Sequence, residues 1–586
     1  MRFTMKISFL YASLALCISL QAQTSLSIQP PPSLSNAIPS NFFGMNSNPV
    51  LVLSSSSQCP TKTQYPEATL GNVDSNFSNS RAVGFMGHDP SRFTLWAAVE
   101  PARHSPPIFE WDVLDSELSA AKAQGFQMIL TIDDTPNWAI DPINPGPGKC
   151  GGLSHTCKGT PVTGCTFAPA SYIGSTSDWG LFIQGLMDHL SSAGYLGTVR
   201  AIELWNEANL PVFWGHADKT QDPSLGLSIL VEMAKTAYNI IHNYSACSPS
   251  CPLVLTPSAA GATTGTPGSD HDDIVSDWIR RYLATAAPSG GGSGRDFADG
   301  IAFHGYERHA WPESVWYTTI PPRPTCNLGT ICWAGPAYRV CPANTTCFGP
   351  IDTLIATIRS AANLAGATTL PLFDTEGSWG TPDLDLGQGG ANDQNQTVPL
   401  DTAWMARWYL LQAAQYATTQ SNLQAASWFD WDPDCDSYMN SPKNPGTCLA
   451  VGWGTLGYVH SGGDLWPFGV AGQTSHYGSG LAFGWLTKWL VGSTFVSPCA
   501  PEPSTGNNVW TCNLTLRNGD SAQIVWYPPS GSVSWPTGTY HLYQDLTGCE
   551  KQIPIATTNG GSILVSQQPL ILLARDEGWG SNTCIP

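Results

Sequence analysis

Two stretches of this sequence end in carboxylates after runs that read as buried strands. In the first, the apolar Val199, Ala201, Ile202 and Leu204 give way at once to Trp205-Asn206-Glu207. The second is Leu370-Pro-Leu-Phe-Asp-Thr-Glu376. A strand that finishes this way sets an acid, an amide and an aromatic face at one strand end. Either alone reads equally well as a strand running into a polar loop. Together they form the pair that glycoside hydrolysis uses. At about 5 Å apart, one glutamate attacks the anomeric carbon while the other protonates the leaving oxygen. The acid must be kept protonated by its surroundings, and the nucleophile kept ionised by hydrogen bonds.

Such residues meet only if their strands lie side by side and point the same way. Strands are expected over 41–46, Ser91–Trp96, Phe126–Ile132, Thr198–Trp205, Pro252–Thr256, Phe297–Phe303, Leu370–Thr375 and Leu423–Phe429. Helical periodicity separates them, as in Ser177 to Ala193, where Trp179, Phe182, Ile183, Leu186 and Leu190 recur on one face. Alternation of this kind means parallel strands with crossover helices, and eight units argue for a closed (β/α)8 TIM barrel. An open doubly wound sheet is the rival, but no Gly-x-Gly-x-x-Gly turn follows an early strand. Cysteine-rich insertions at 140–170 and 311–350 follow strand ends, where binding loops belong. After 496 the pattern turns to short alternating runs such as Val509–Leu516 and Ala522–Tyr527, which read as an antiparallel β-sandwich. The expected organisation is therefore a leader at 1–22, a barrel over 23–495 and a sandwich domain over 496–586.

Closure would gather the strand ends around one cup. Trp205, Asn206 and Glu207 enter from the fourth end, His304 and Tyr306 from the sixth, Glu376 from the seventh and Trp428 from the eighth. Trp138, after the third strand, is a second candidate sugar platform. Arg92 either supports the nucleophile or neutralises an interior acid. Asp133 and Asp134 read better as turn formers than as site groups, Glu100 as a local contact, and Glu203 as a buried structural partner on the same strand parity as Glu207. Asp374 and Asp430 are interior or supporting acids.

Composition narrows the partner. Charged residues make up 12% of the 586, with formal net charge -19. That excess of acid argues against nucleic acid, whose phosphates select Lys and Arg, and suits a neutral polar ligand. The 23 Trp and 18 Tyr serve both core packing and sugar stacking. Arg2 and Lys6, the apolar Ile7–Leu20 and the cleavable Leu20-Gln-Ala22 read as a signal peptide, and no other stretch reads as membrane-spanning. The expected location is extracellular, or periplasmic in a Gram-negative host. Removing Cys17 with the leader leaves 16 cysteines, many close in sequence, which in an exported chain read as loop-stapling disulfides. A zinc site is the rival, but no Cys-x-x-Cys pair exists. Sequons stand at Asn76, Asn243, Asn344, Asn395 and Asn513. No metal or organic cofactor is implied, and the residues say nothing of oligomeric state.

The sequence resembles clan A of the retaining glycoside hydrolases. Trp205-Asn-Glu207 is similar to that clan's acid/base motif and the Asp374-Thr-Glu376 ending to its nucleophile strand. Trp96-Ala-Ala-Val-Glu-Pro101, Phe109-Glu-Trp-Asp112 and Thr135-Pro-Asn-Trp138 look like the second and third units of the xylosidase/iduronidase-like and cellulase-like families. The resemblance covers roughly 40–495, with a C-terminal sandwich as a common companion. It implies Glu207 as acid/base, Glu376 as nucleophile, Asn206 on the sugar 2-hydroxyl, Tyr306 steadying the nucleophile and His304 on the sugar, with Trp205 as support. Two other readings share these residues. One is a barrel that binds carbohydrate without turnover, which should lack a glutamate or Asn206. The other is a transglycosylase, in which a sugar intercepts the same intermediate.

Overall fold

Eight short segments, nearly all apolar, make one sheet: β1 (Phe43–Ser47), β2 (Phe85–His88), β3 (Gln127–Ile132), β4 (Val199–Leu204), β5 (Leu253–Leu255), β6 (Ile301–His304), β7 (Leu372–Gly377) and β8 (Leu423–Trp428). The computed structural model describes residues 37–47, 50–53, 60–64, 85–88, 96–140, 150–155, 161–211, 213–217, 223–247, 251–260, 275–305, 330–333, 338–341, 351–377, 397–416, 418, 421–428, 458–459, 465–466, 479–502, 509–528, 532–546, 548–553 and 561–578. Every ladder in the sheet is parallel, in the order β5-β4-β3-β2-β1-β8-β7-β6. Sequence neighbours are thus spatial neighbours, with β1 beside both β2 and β8. The two outer strands are themselves linked by parallel bridges, Leu255 with Gly300 and Ala260 with His304.

Crossover helices explain the parallel order. They are α1 (Asp112–Gln124), α2 (Asp178–Ser192), α3 (Pro223–His242), α4 (Val275–Ala284), α5 (Ile351–Leu364) and α6 (Thr397–Ala413), with α7 (Ser479–Leu490) after β8. The termini follow local chemistry. The Ser177 hydroxyl accepts the Gly180 N–H and starts α2, while Gly125 at φ 71° ends α1 in the left-handed conformation. The buried face of α2 is the one expected: Trp179, Phe182, Ile183, Leu186 and Leu190. None of the described helices is long and apolar enough to cross a membrane.

Inside the sheet, Ile129, Ala201, Leu255, Ala302, Phe373 and Ala425 form one cluster, a residue from each of β3 to β8. Large and small side chains alternate along it, so neighbours pack without overlap. Because side chains alternate along a strand, this layer fixes the inward parity of every neighbour.

Two expectations differ from the structure. The second strand is Phe85–His88, not Ser91–Trp96; of that expected stretch only Trp96 is described, and it opens a helical turn, Trp96–Val99. Its backbone is held by β3's exit, Trp96 N–H to Asp133 O and Ala97 N–H to Asp134 O, both 3.1 Å. The Trp96 ring stacks on Phe182 at 5.2 Å. Trp96 to Val99 are buried, and an apolar run of a few residues has no period that separates strand from turn. The second difference lies in the 140–170 insertion, which contains a hairpin, Cys150–His155 with Pro161–Cys165, closed by a Cys150–Cys165 disulfide. Disulfides Cys247–Cys251 and Cys499–Cys512 staple short loops in the same way.

The C-terminal strands are antiparallel. Trp510–Thr515, Ser521–Trp526, Leu570–Leu573 and Leu542–Gln544 pair in turn, and Val533–Pro536 pairs with Ser562–Val565. Val509, Val525, Trp535, Ile553, Ile563, Val565 and Leu572 pack together as a local core. The other face of the larger sheet carries Leu514, Ile524, Trp526 and Ile571 into the same core as Trp485 and Trp489 of α7, and Trp489 Nε1 donates to Gln544 Oε1 at 2.6 Å.

Gly180 makes the α2 start testable. A Cβ there would lie 2.3 Å from Gly174 O and 2.8 Å from Ser175 Cα. Gly174 O is held by the Ser177 hydroxyl at 2.7 Å. Helix propensity alone favours Gly180→Ala by about 1 kcal/mol, but backbone overlap opposes it. The expected net result is destabilisation by about 1–3 kcal/mol in denaturant unfolding. Unchanged or raised stability would refute the close approach.

Candidate active site

The site forms where β4, β6 and β7 end. Inward parity from Ala201 and Ala302 carries Glu203 and His304 into the interior. The same parity on β7, counted from Phe373, would place Thr375 inward and Glu376 outward. The register of β7 shifts against both neighbours near Asp374, and Glu376 falls opposite His304. Such an irregularity re-aims a side chain that strict alternation would lose.

Glu207 reaches the same place by strain. Trp205 has φ 86° and Glu207 φ 39°. Left-handed backbone at a bulky residue costs on the order of 1–3 kcal/mol and persists only where the surroundings impose it. Here the chain after β5 imposes it. Ser258 N–H donates to Trp205 O, Ala208 N–H to Ser258 O, and Glu207 N–H to Ser258 Oγ at 3.0 Å. Asn209 clamps Ala260 through both of its amide atoms.

These elements converge on one imidazole. His304 Nδ1 lies 2.8 Å from Glu207 Oε1 and 3.3 Å from Glu376 Oε2, and Nε2 lies 4.0 Å from Glu203 Oε1. The facing atoms of Glu207, His304 and Glu376 all lie within 4.8 Å of one another. Burial alone pulls the ring's pKa down. Attraction to Glu376, then the hydrogen bond and charge of Glu207, then Glu203, outweigh it, and the pKa is pushed up to about 9. A cation among these three groups would have to displace the proton that Nδ1 shares with both carboxylates, so the donor set suits an imidazolium better than a metal. Burial also raises Glu203, opposed first by His304 and then by the Ser258 and Thr375 hydroxyls.

The remaining expected residues fall in distinct places. Asn206 is buried beside Glu207, and among the described residues its Oδ1 has no hydrogen-bond partner. Trp205 points away, its Nε1 donating to Phe213 O at 2.8 Å and its ring meeting Trp214 edge-on. Trp428 is fully buried, edge-on to Trp408 at 5.4 Å; it would meet a sugar only by losing part of that cover. Trp138 is half-buried, donates to Glu100 O at 2.8 Å and lies under the Arg103 guanidinium at 5.7 Å. Arg92 and Tyr306 lie outside the described residues. Glu100 accepts the Trp96 indole N–H at 2.7 Å, a local contact, and burial pushes its pKa up to about 7.

Two residues that the sequence did not single out, Ser258 and Asn46, shape the site together with Asp374, which the sequence reads as an interior or supporting acid. Ser258 fixes Glu207. Asn46, at the end of β1, donates to Thr375 O at 3.1 Å and accepts from Ser427. Asp374 accepts the Gly305 N–H at 2.8 Å, and burial raises its pKa well above the carboxylate range. The available signal was position alone, since each is a polar residue at the end of an apolar run.

The architecture has counterparts among solved structures. A family 39 glycoside hydrolase from the gut symbiont Bacteroides cellulosilyticus superimposes over 92% of this chain and 81% of its own, with TM-score 0.52 and 16% identity. The fold of this chain is similar to that of this family 39 glycoside hydrolase. A monomeric beta-xylosidase from Caulobacter crescentus (13% identity, 92% of this chain and 97% of its own, TM-score 0.46) and a family 51 arabinofuranosidase from Xanthomonas axonopodis pv. citri (10%, 93% and 98%, 0.45) are also similar. No protein-family model and no curated protein matches the sequence.

The raised His304 pKa links the site to stability. The folded state binds this proton more tightly than the unfolded chain, whose histidine titrates near 6.5. The contribution is therefore complete below about pH 6.5 and is lost as pH rises through about 9. Denaturant unfolding at pH 6.5 and 9 should show wild type losing stability that His304→Gln does not lose. Parallel losses in the two proteins would rule out a protonated ring.

Proposed function

We propose that this protein is an exported retaining glycoside hydrolase that cleaves β-linked oligo- or polysaccharide by double displacement. In this reading the parallel sheet closes as a (β/α)8 barrel over 23–495, the leader is 1–22, and the antiparallel strands of 496–586 form a companion sandwich domain. The observation that carries it is the separation of Glu207 and Glu376. Their facing atoms lie within 4.8 Å of each other, and carboxyl groups about 5 Å apart leave no room for a water between the second carboxylate and the anomeric carbon. Inverting enzymes, which need that water, hold theirs roughly 6.5–9.5 Å apart.

The chemistry follows from the positions. Glu376 attacks the anomeric carbon while Glu207 gives its proton to the leaving oxygen, leaving a glycosyl ester on Glu376. Glu207, now a carboxylate, takes a proton from water as that water attacks the anomeric carbon from the face the leaving group left and frees Glu376, so two inversions retain the configuration. His304, donating from Nδ1, favours the ionised form of whichever carboxylate carries charge. Asn206 Oδ1, buried and unpartnered, is the acceptor for a sugar 2-hydroxyl. A transferase would differ only in the acceptor of the second step.

A panel of aryl β-glycosides tests the reading. Glu207→Ala should lower turnover by about 10²–10⁴-fold. Glu376→Ala should lose at least as much, and azide should restore it to give a product of inverted configuration. Full activity in either variant, or no release of aglycone or reducing ends from any substrate by wild type, sinks the proposal; sugar binding without release would mark a binding protein.

The amide role is separable. With wild type, a 2-deoxy glycoside should react more slowly than its parent by an amount worth several kcal/mol in the transition state. In Asn206→Ala the two should react at nearly the same rate. Retention of the wild-type ratio in the variant would assign the 2-hydroxyl to another group.

A further inference from the structure

Glu203 is a carboxylate with no evident task. It is 1% exposed, sits on β4 one strand turn before the acid/base residue, and is not placed to touch a bound sugar, because His304 lies between it and the Glu207–Glu376 gap. Among the described residues, His304 is the one basic group within ion-pair distance of it. A buried carboxylate without a counter-charge costs several kcal/mol, so a chain gains nothing by keeping one there for packing alone. The histidine's surroundings show what Glu203 adds. The acidic groups that act on His304 are Glu203 from β4, Glu207 from the turn after it, and Glu376 and Asp374 from β7. Glu207 and Glu376 both address Nδ1, and Asp374 faces Gly305 rather than the ring. Among these four acids Glu203 is the one facing Nε2, at an ion-pair distance of 4.0 Å.

We propose that Glu203 is a positioning residue that holds Nε2 of His304 and supplies the counter-charge keeping the ring protonated, so that a single Nδ1–H is offered to Glu207 and Glu376 together. This rests on the hydrolase reading for its consequence, though not for its geometry. The glutamates change charge in opposite senses during the reaction, as the nucleophile loses its charge on forming the ester and the acid gains one on giving up its proton. A ring that stays protonated throughout can follow that charge from one oxygen to the other by a small tilt. A neutral ring would donate from one nitrogen only, and its tautomer would decide whether it helps or opposes the pair. Ser258 lies beside both acids: its Oγ accepts from Glu207 N–H, and its hydroxyl opposes the burial that raises Glu203. Thr375 supports Glu203 from β7.

The test reads the ring directly. Nitrogen-15 histidine NMR of the full chain, with His304 assigned by its loss in His304→Gln, should show both ring nitrogens protonated at pH 7.5 in wild type. A neutral His304 ring at that pH overturns the proposal without recourse to any Glu203 variant. Glu203→Gln keeps the volume and removes the charge. Its His304 midpoint should fall by about one unit or more, and Glu203→Asp should retain most of the wild-type value. Where hydrolysis is measured, Glu203→Gln should move the alkaline limb of the kcat profile to lower pH by a similar amount with KM little changed. An unshifted His304 midpoint in a folded Glu203→Gln, or kcat reduced by the same factor at every pH, would reduce Glu203 to a packing role. Absence of hydrolysis in wild type would defeat the hydrolase reading alone, since the NMR result stands independently of turnover.

Discussion

One buried imidazole held among carboxylates is the constraint on which the rest of this structure depends. Charges of one sign taken out of water repel strongly and lose their hydration, so three carboxylates cannot share a buried strand end unless a positive group is interleaved. His304 is that group, and it is 0% exposed. The neighbouring features exist to bring acids to it: inward parity delivers Glu203, a register shift delivers Glu376, and two left-handed residues deliver Glu207. Each departs from, or exploits, regular strand geometry at the one place where the strand ends meet.

The scaffold makes this possible by being rigid just beneath. The alternating large and small layer from Ile129 to Ala425 is close-packed, so the strand ends above it have few alternative positions. Outside the sheet, α1 to α7 share a core with one face of the C-terminal antiparallel sheet through Trp485 and Trp489. The C-terminal strands are therefore bound to the helical layer by apolar burial, with Trp489 and Gln544 as a polar anchor. Strain at Trp205 and Glu207 persists because this support leaves the turn nowhere to relax.

Much of this was legible in the sequence, and the limits have physical causes. The strands β3 to β8 and helices α2 to α7 were readable because each buries a regular face, so period and burial agree. The two glutamates were readable because each ends an apolar run in polar residues. The strand Phe85–His88 was not, since Phe85-Met-Gly-His88 is too short to show alternation and carries a glycine. Nor was the full burial of Trp428, because aromatic residues at strand ends serve cores and ligands alike. Ser258 and the β7 register shift act across strands, and contacts of that kind leave no local pattern. Glu203 was read as a buried structural partner from its parity; what parity could not convey was that its partner is a histidine from two strands away.

That pairing changes how the site's acids should be regarded. Glu203, Glu207 and Glu376 all lie within ion-pair reach of the His304 ring. A change at any one of them shifts the others through His304, as the opposing influences on its pKa already show. In the proposed hydrolysis, the division of labour between an acid and a nucleophile cannot reside in the two glutamates alone, which have the same chemistry and similar burial. It must come from what holds them unequally. Glu207 lies closer to Nδ1 and is fixed through its own N–H by Ser258. Glu376 lies farther from the ring, on a strand whose register has slipped. Asymmetry of backbone, imposed by β5 on one side and by the β7 irregularity on the other, is what lets two identical side chains take different parts.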